Sequence, residues 1–300
     1  MGHLILVIDD EQQQAEGMKK FLKRERPNFS VESAFTEKDI LEKVESLYFD
    51  IAIVDLQMND FNIDGIFIIR KILEINPFAR IIIVSGYVPS YDAQIAEIFK
   101  SGKIETVIEK TSIEIFTVKI LRAIDNIIET YEKHSFYQKT LESLYADAKN
   151  ETDKYLKGTN FERFIGLLFS QMGFTHISKR VKDQSLGEVD LIVRNELNDL
   201  FFQKFKPYLL IECKNTNEKV DINDFKLFYG KLEHTNGMAN LGFLITSNTI
   251  KDTAYKEAMR TSGKGNKVIF ITHLEIARLI QSLNLLDTMK AIIDEQVKDN

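Results

Sequence analysis

Over the first 125 residues, short apolar runs alternate with amphipathic segments. LILVI (4–8), SVESA (30–34), IAIV (51–54), IIIV (81–84) and TVI (106–108) read as five strands. Four are almost continuously apolar, as strands of a parallel sheet covered on both faces must be. Between them EQQQAEGMKKFLKRE, TEKDILEKVESL, GIFIIRKILEI and AQIAEIFKSG place apolar residues at helical spacing, and a last helix begins near Ser112. Five such βα repeats predict a doubly wound α/β domain whose site lies at the carboxyl ends of its strands.

The helical pattern then runs on. From Ile113 to about Lys157 there is no strand pattern and neither Pro nor Gly, and apolar residues recur at Ile120, Leu121, Ile124, Ile127, Ile128, Tyr131, Leu141, Leu144, Tyr145 and Ala148. Two readings fit this stripe: a helix packed on its own domain, or a protruding helix that pairs with a second copy as a coiled coil. A different pattern opens at Gly158. NFERFIGLLFSQMGF (160–174) reads as a helix; HISKRV, EVDLIV and YLLIEC as three strands; DINDFKLFYGKLEH as a helix capped by Asp221. LGFLIT, IKDTAYKEAMRTSG, KVIFIT and HLEIARLIQSL continue as strand, helix, strand and helix, with a C-terminal helix from Leu285. The expected layout is one domain over 1–128, a helical linker over 129–157 and a second α/β domain over 158–300.

Composition is that of a globular chain, with 44% hydrophobic and 28% charged residues. No apolar run approaches the roughly 20 residues of a membrane span, and residues 1–30 lack a secretory pattern, so a cytoplasmic protein without membrane partners is expected. Cys213 is the single cysteine, which excludes an intramolecular disulfide and a Cys-based zinc site. The net charge of −6 is uneven: residues 1–130 hold 15 basic and 22 acidic residues, residues 151–300 hold 21 and 20. The second half is therefore free to meet nucleic acid wherever a local basic patch allows. SKRVK (178–182) and KGNK (264–267) are either solvated surface or such a patch.

Asp9 and Asp10 follow the first strand, Asp55 ends the third, Ser85 ends the fourth and Lys110 follows the fifth. In a doubly wound sheet these ends converge. Three clustered carboxylates repel unless a cation neutralises them, and oxygen-only ligands suit Mg²⁺. Such a cluster lets one carboxylate attack a phosphoryl donor while the lysine neutralises phosphoryl oxygens. LILVIDDE, DIAIVDLQM, IIIVSG and VIEK resemble the receiver domain of two-component response regulators over residues 3 to about 128. The resemblance implies Asp55 as phosphoacceptor, Asp9 and Asp10 as Mg²⁺ ligands with it, Ser85 and Lys110 as the switch pair, and a sensor histidine kinase as partner. Three departures stand out. Asn59 replaces a usual Pro in a loop to Gly65 that is about two residues longer than usual, Val107 replaces the aromatic switch residue, and Thr111 replaces a common Pro.

In the second half, YLLIEC ends at Glu212 with Lys214 two residues on, which puts an acid and an ammonium on one strand face. Asp190 lies in GEVDLIV. If these strands pair antiparallel, Asp190 and Glu212 lie side by side, a divalent ion between them relieves their repulsion, and Lys214 orients the attacking water. Glu162, early in its helix, is a further ligand or supporting group. Singly each has a plainer reading: a cross-strand ion pair for Glu212 and Lys214, a turn residue for Asp190, a helix-dipole partner for Glu162. The order of elements around GEVD, ECK and GFLITSN resembles the PD-(D/E)xK nucleases, and more closely their Mrr-like restriction-endonuclease branch, over about residues 158–280. That resemblance implies Asp190 and Glu212 as metal ligands, Lys214 as catalytic lysine, Glu162 as supporting acid, Mg²⁺ (with Mn²⁺ as an alternative) as cofactor, and DNA as substrate. His134, His176, His234 and His273 show no metal-ligand spacing, and Cys213 reads as a small inward core residue. The expectation is a response regulator with a phosphorylation-controlled, Mg²⁺-dependent DNA endonuclease output that acts as a homodimer. A non-catalytic output that binds DNA or protein, and an RNA-cleaving output, are the alternatives.

Overall fold

The computed structural model describes residues 3–59, 61–86, 92–131, 136–183, 187–261, 263 and 265–298. The chain divides into two compact units, Gly2–Phe136 and Tyr137–Asn300 with Met1.

The first unit runs β1 (Leu4–Ile8), α1 (Gln12–Glu25), β2 (Ser30–Ala34), α2 (Glu37–Ser46), β3 (Ile51–Asp55), α3 (Gly65–Ile75), β4 (Arg80–Ser85), α4 (Asp92–Phe99), β5 (Ile104–Glu109) and α5 (Ile113–Tyr131). The strands form one sheet in the order β2-β1-β3-β4-β5, and every pair is parallel. Strand alternation splits its apolar residues between two cores. Leu4, Leu6 and Ile8 join Ile40, Ile69 and Ile72 on one side. Ile5 and Val7 join Leu22, Ile120, Ile124 and Ile127 on the other. Both faces being covered explains why these strands read as unbroken apolar runs. Gly65 has a local reason: a Cβ there would sit 2.1 Å from the Asp55 carbonyl oxygen. Its N–H donates to the Leu56 carbonyl at 3.0 Å, so α3 starts in direct contact with the end of β3.

The second unit runs α6 (Phe136–Asn150), α7 (Lys154–Gln171), β6 (Ile177–Asp183), β7 (Gly187–Arg194), a short 3-10 turn (Phe202–Lys204), β8 (Tyr208–Lys214), α8 (Ile222–Glu233), β9 (Ala239–Thr246), α9 (Asp252–Thr261), β10 (Lys267–Ile271), α10 (His273–Ile280) and α11 (Leu285–Lys298). Its sheet, in the order β10-β9-β8-β7-β6, is mixed. The β6–β7 and β7–β8 pairs are antiparallel; β8–β9 and β9–β10 are parallel. Phe243 of β9 packs edge-on against Phe169 of α7 at 5.2 Å. On the opposite face Gly242 leaves room for α8, since a Cβ there would meet the Phe228 ring at 2.8 Å.

The apolar stripe of the expected linker is used inside the two units. Ile120, Ile124 and Ile127 are core residues of the first sheet. Leu141 and Ala148 of α6 are buried, and Tyr145 packs against Phe164 of α7 at 5.2 Å. This part of the stripe is covered within its own unit. Helix α7 also starts six residues before the expected Asn160, capped by Asp153, whose side chain accepts from the Leu156 N–H at 2.9 Å. Residues 132–135, including His134 and part of the polar stretch of that linker, lie outside the described residues. So do Lys264 of KGNK and the side chains of 180–182 in SKRVK.

Candidate functional site

In the first unit the strand ends bring the five expected residues to one edge. The carboxylates of Asp9, Asp10 and Asp55 each offer an oxygen within 4.8 Å of the others. Lys110 Nζ donates to Asp55 Oδ2 at 2.5 Å, to Asp9 Oδ2 at 2.8 Å and to Gln14 Oε1 at 2.8 Å. Ser85 is fully buried, and its carbonyl accepts the Lys110 N–H at 2.8 Å, which ties the ends of β4 and β5 together. Burial pushes the Asp9 and Asp55 carboxyls above their ordinary range, and the bonds to Lys110 only partly offset it. Burial also works against the Lys110 ammonium, but Asp55 and Asp9 outweigh it and hold its pKa above the usual lysine value. Three carboxylates with one ammonium leave excess negative charge among oxygen donors, which fits a hard divalent cation. Asn59 has a role that a proline could not fill. Its backbone N–H donates to Asp10 Oδ2 at 2.8 Å and steadies the most solvent-exposed acid of the three. Val107 is partly buried against the core of α2–α4.

In the second unit, β7 and β8 pair with Leu191 opposite Ile211, one position short of Asp190 and Glu212. The ladder gives way there to a side-chain bond: the Cys213 N–H donates to Asp190 Oδ2 at 2.7 Å. Glu212 is buried, 8% exposed, and Lys214 Nζ lies 3.2 Å from its Oε1. Asp190 carries a strained charge. Burial, then the neighbouring Glu212 and Glu162 carboxylates, push its pKa up to about 6, against the Cys213 bond and Lys231. Burial opposes the Lys214 ammonium, but Glu212 and Asp224 keep its pKa above the usual value, so it is a cation at neutral pH. Glu162, buried in α7, acts on Asp190 through its field; among the described residues the three acids do not converge as closely as the first-unit cluster does. Cys213 is half-buried as a residue while its thiol is desolvated, and burial with the adjacent carboxylates pushes the thiol pKa up.

Three further residues complete the site. Lys231 Nζ lies 2.7 Å from Glu212 Oε2, so both oxygens of that carboxylate have lysine partners. This revises the expected electrostatics: Glu212 is neutralised by ammonium groups, and Asp190 is the acid left short of positive charge. Asp224, two turns before Lys231 on α8, stands 3.8 Å from Lys214 and also closes the capping box with Asp221. Asn215 Nδ2 donates to the carbonyls of Ala148 at 2.8 Å and Lys157 at 2.9 Å, and Ser247 Oγ donates to its Oδ1 at 2.6 Å. The seven-residue spacing from Asp224 to Lys231 flanks the buried Phe225, Phe228 and Leu232, and is the one trace of this edge in the sequence. The oxygen donors of Asp190 and Glu212, with Asp190 ill at ease as an anion, fit a hard divalent cation.

Comparison with known proteins divides the chain the same way. Residues 5–115 match the family model described as response regulator receiver domain, and residues 154–280 the one described as restriction endonuclease. No curated protein matches the chain. Among solved structures, a CheY-like response regulator receiver domain protein from Methanospirillum hungatei JF-1 is 23% identical, covers 45% of this chain and 100% of its own, and gives a TM-score of 0.39. The N-terminal domain of a response regulator/sensory box/GGDEF protein from Carboxydothermus hydrogenoformans is 19% identical, covering 43% and 97%, with a TM-score of 0.37. The Thermotoga maritima response regulator TrrA in complex with Mg²⁺-BeF is 24% identical, covering 40% and 98%, with a TM-score of 0.33. The chain thus joins a response regulator receiver domain to a domain of restriction-endonuclease type, the layout of a response regulator with a nuclease-like output.

Proposed function

We propose that this chain is a response regulator in which phosphorylation of Asp55, by a sensor histidine kinase, controls a divalent-metal-dependent DNA endonuclease in the second unit. The observation that carries the nuclease reading is the meeting of Asp190, Glu212 and Lys214 at one end of β7 and β8, with the first acid held near pKa 6.

Each residue has a task. The Asp55 carboxylate attacks the phosphorus of the donor; the donor group leaves with the electron pair of the broken bond, and an aspartyl phosphate remains. Asp9 and Asp10 flank it, and Lys110 stays protonated to neutralise phosphoryl oxygens, with buried Ser85 beside it. In the second unit a water adds to the phosphorus of a phosphodiester while the bond to one ester oxygen breaks; that oxygen leaves with the electron pair of the broken bond and takes up the proton that the water gives up. Lys214 is an ammonium held by Glu212 and Asp224, so it serves as a hydrogen-bond donor to the growing negative charge rather than as a base. Asp190 and Glu212 would hold the cation. When bound, a divalent ion supplies Lewis-acid charge neutralisation and lowers the pKa of water.

Supercoiled plasmid incubated with the full chain and Mg²⁺ tests the reading. Nicked or linear product from wild type and none from Lys214→Ala supports it; intact supercoils with both sink it. One feature favours the alternative of a non-catalytic output that binds DNA or a protein partner: both Glu212 oxygens already carry lysines. Tight binding of duplex without metal, and no cutting at any metal concentration, would select that alternative.

A further inference from the structure

Lys231 stands outside the acid–acid–lysine set yet makes a closer contact with Glu212 than Lys214 does. It projects from α8, is one-fifth exposed, and its Nζ donates to Glu212 Oε2 at 2.7 Å and to the backbone carbonyl of Glu188 at 2.7 Å. Glu212 Oε1 belongs to Lys214 at 3.2 Å. Asp190, its neighbour across the strand pair, accepts the Cys213 N–H and has no ammonium in ion-pair range among the described residues. Positive charge is therefore distributed unevenly: two ammonium groups crowd one acid and none touches the other. A lysine needed only to keep α8 against the sheet would gain nothing from choosing this oxygen, because Phe225, Phe228 and Leu232 already bury that face.

We propose that Lys231 is a positioning residue that competes with the divalent cation for Glu212: its ammonium holds Oε2 until the ion binds and withdraws when it does. The inference rests on the nuclease reading of the same site. Its physical basis is simple. A cation shared by Asp190 and Glu212 would lie within a few ångströms of the Lys231 ammonium, where like charges repel strongly in a partly buried site. Removing the competitor tightens metal binding, whereas removing a merely structural lysine would loosen it. Lys231 thereby sets the metal concentration at which the site fills.

The test is Mn²⁺ titration by calorimetry, with free Mn²⁺ followed by its paramagnetic resonance, on the full chain carrying Asp10→Asn to disable the first-unit cluster. Lys231→Met and Lys231→Gln should bind at least about tenfold more tightly than this parent, about 1.4 kcal/mol. Lys231→Arg, which keeps the charge, should stay within about threefold of the parent, consistent with its retained cation. All three replacements suit a helix interior, and melting curves check that each variant is folded. Unchanged or weaker binding in both neutral variants overturns the competition while leaving the metal site standing, provided Asp190→Asn still abolishes binding. Binding that ignores Asp190→Asn, or no second-unit binding at all, overturns the competition together with the nuclease reading beneath it.

Discussion

Asp190 is a residue on which pH acts directly. An unfolded Asp ionises near its ordinary value of 3.8, while in the folded chain this one keeps its proton to about 6. Between those values the folded state binds more protons, so its stability falls as pH rises through the window and stays lowered above it. The rise from 3.8 to about 6 corresponds to roughly 3 kcal/mol as an upper bound. Asp190→Asn should therefore raise the melting temperature of the second unit at pH 7–8 and give little gain below pH 4. Thermal melts from pH 4 to 8 check this, and a gain that is flat across the range would contradict it. Divalent metal should reproduce the gain in wild type and not in Asp190→Asn. The acid, acid and lysine are legible in the sequence because each sits on a strand whose alternation fixes its side. Lys231 is not legible: a lysine on an amphipathic helix reads as solvated, and only the packing of α8 on β9 turns it toward Glu212.

At the scale of elements, β8 is tied to the entry of its unit. Asn215, the residue after Lys214, holds the end of α6 and the start of α7 through the Ala148 and Lys157 carbonyls. Asn215→Ala leaves these helix-end groups and Ser247 without their partner, at a cost of about 1–3 kcal/mol. Faster amide exchange in α6 and a lower denaturant midpoint are the expected results; unchanged exchange would show that the bonds carry no load. The strands of both units are readable from apolar runs, since the first sheet is covered on two faces and β8 and β9 of the second are buried along most of their length. The fate of the linker stripe is not. Apolar residues at helical spacing look the same whether a sheet, a neighbouring helix or a second copy covers them. The tertiary packing of Ile124 and Tyr145 decides between these.

At the scale of the molecule, the acidity belongs to the first half, and the nuclease-type unit is close to neutral. No described helix is long and apolar enough to cross a membrane. Each chain supplies one candidate nuclease site, so a duplex is cut either by two successive nicks or by two copies acting together. Nicked circles should accumulate before linear plasmid if single copies act; linear product without that lag, with faster sedimentation of the phosphorylated chain, would mark paired copies.

The most direct measurement is the rate of Mg²⁺-dependent plasmid cleavage by wild type and Asp55→Asn, each with and without an acyl-phosphate donor. A phosphorylation-controlled nuclease gives a rate that changes severalfold on adding the donor to wild type and stays constant in Asp55→Asn. Equal rates in all four reactions would contradict the control, and no cleavage in any would contradict the nuclease.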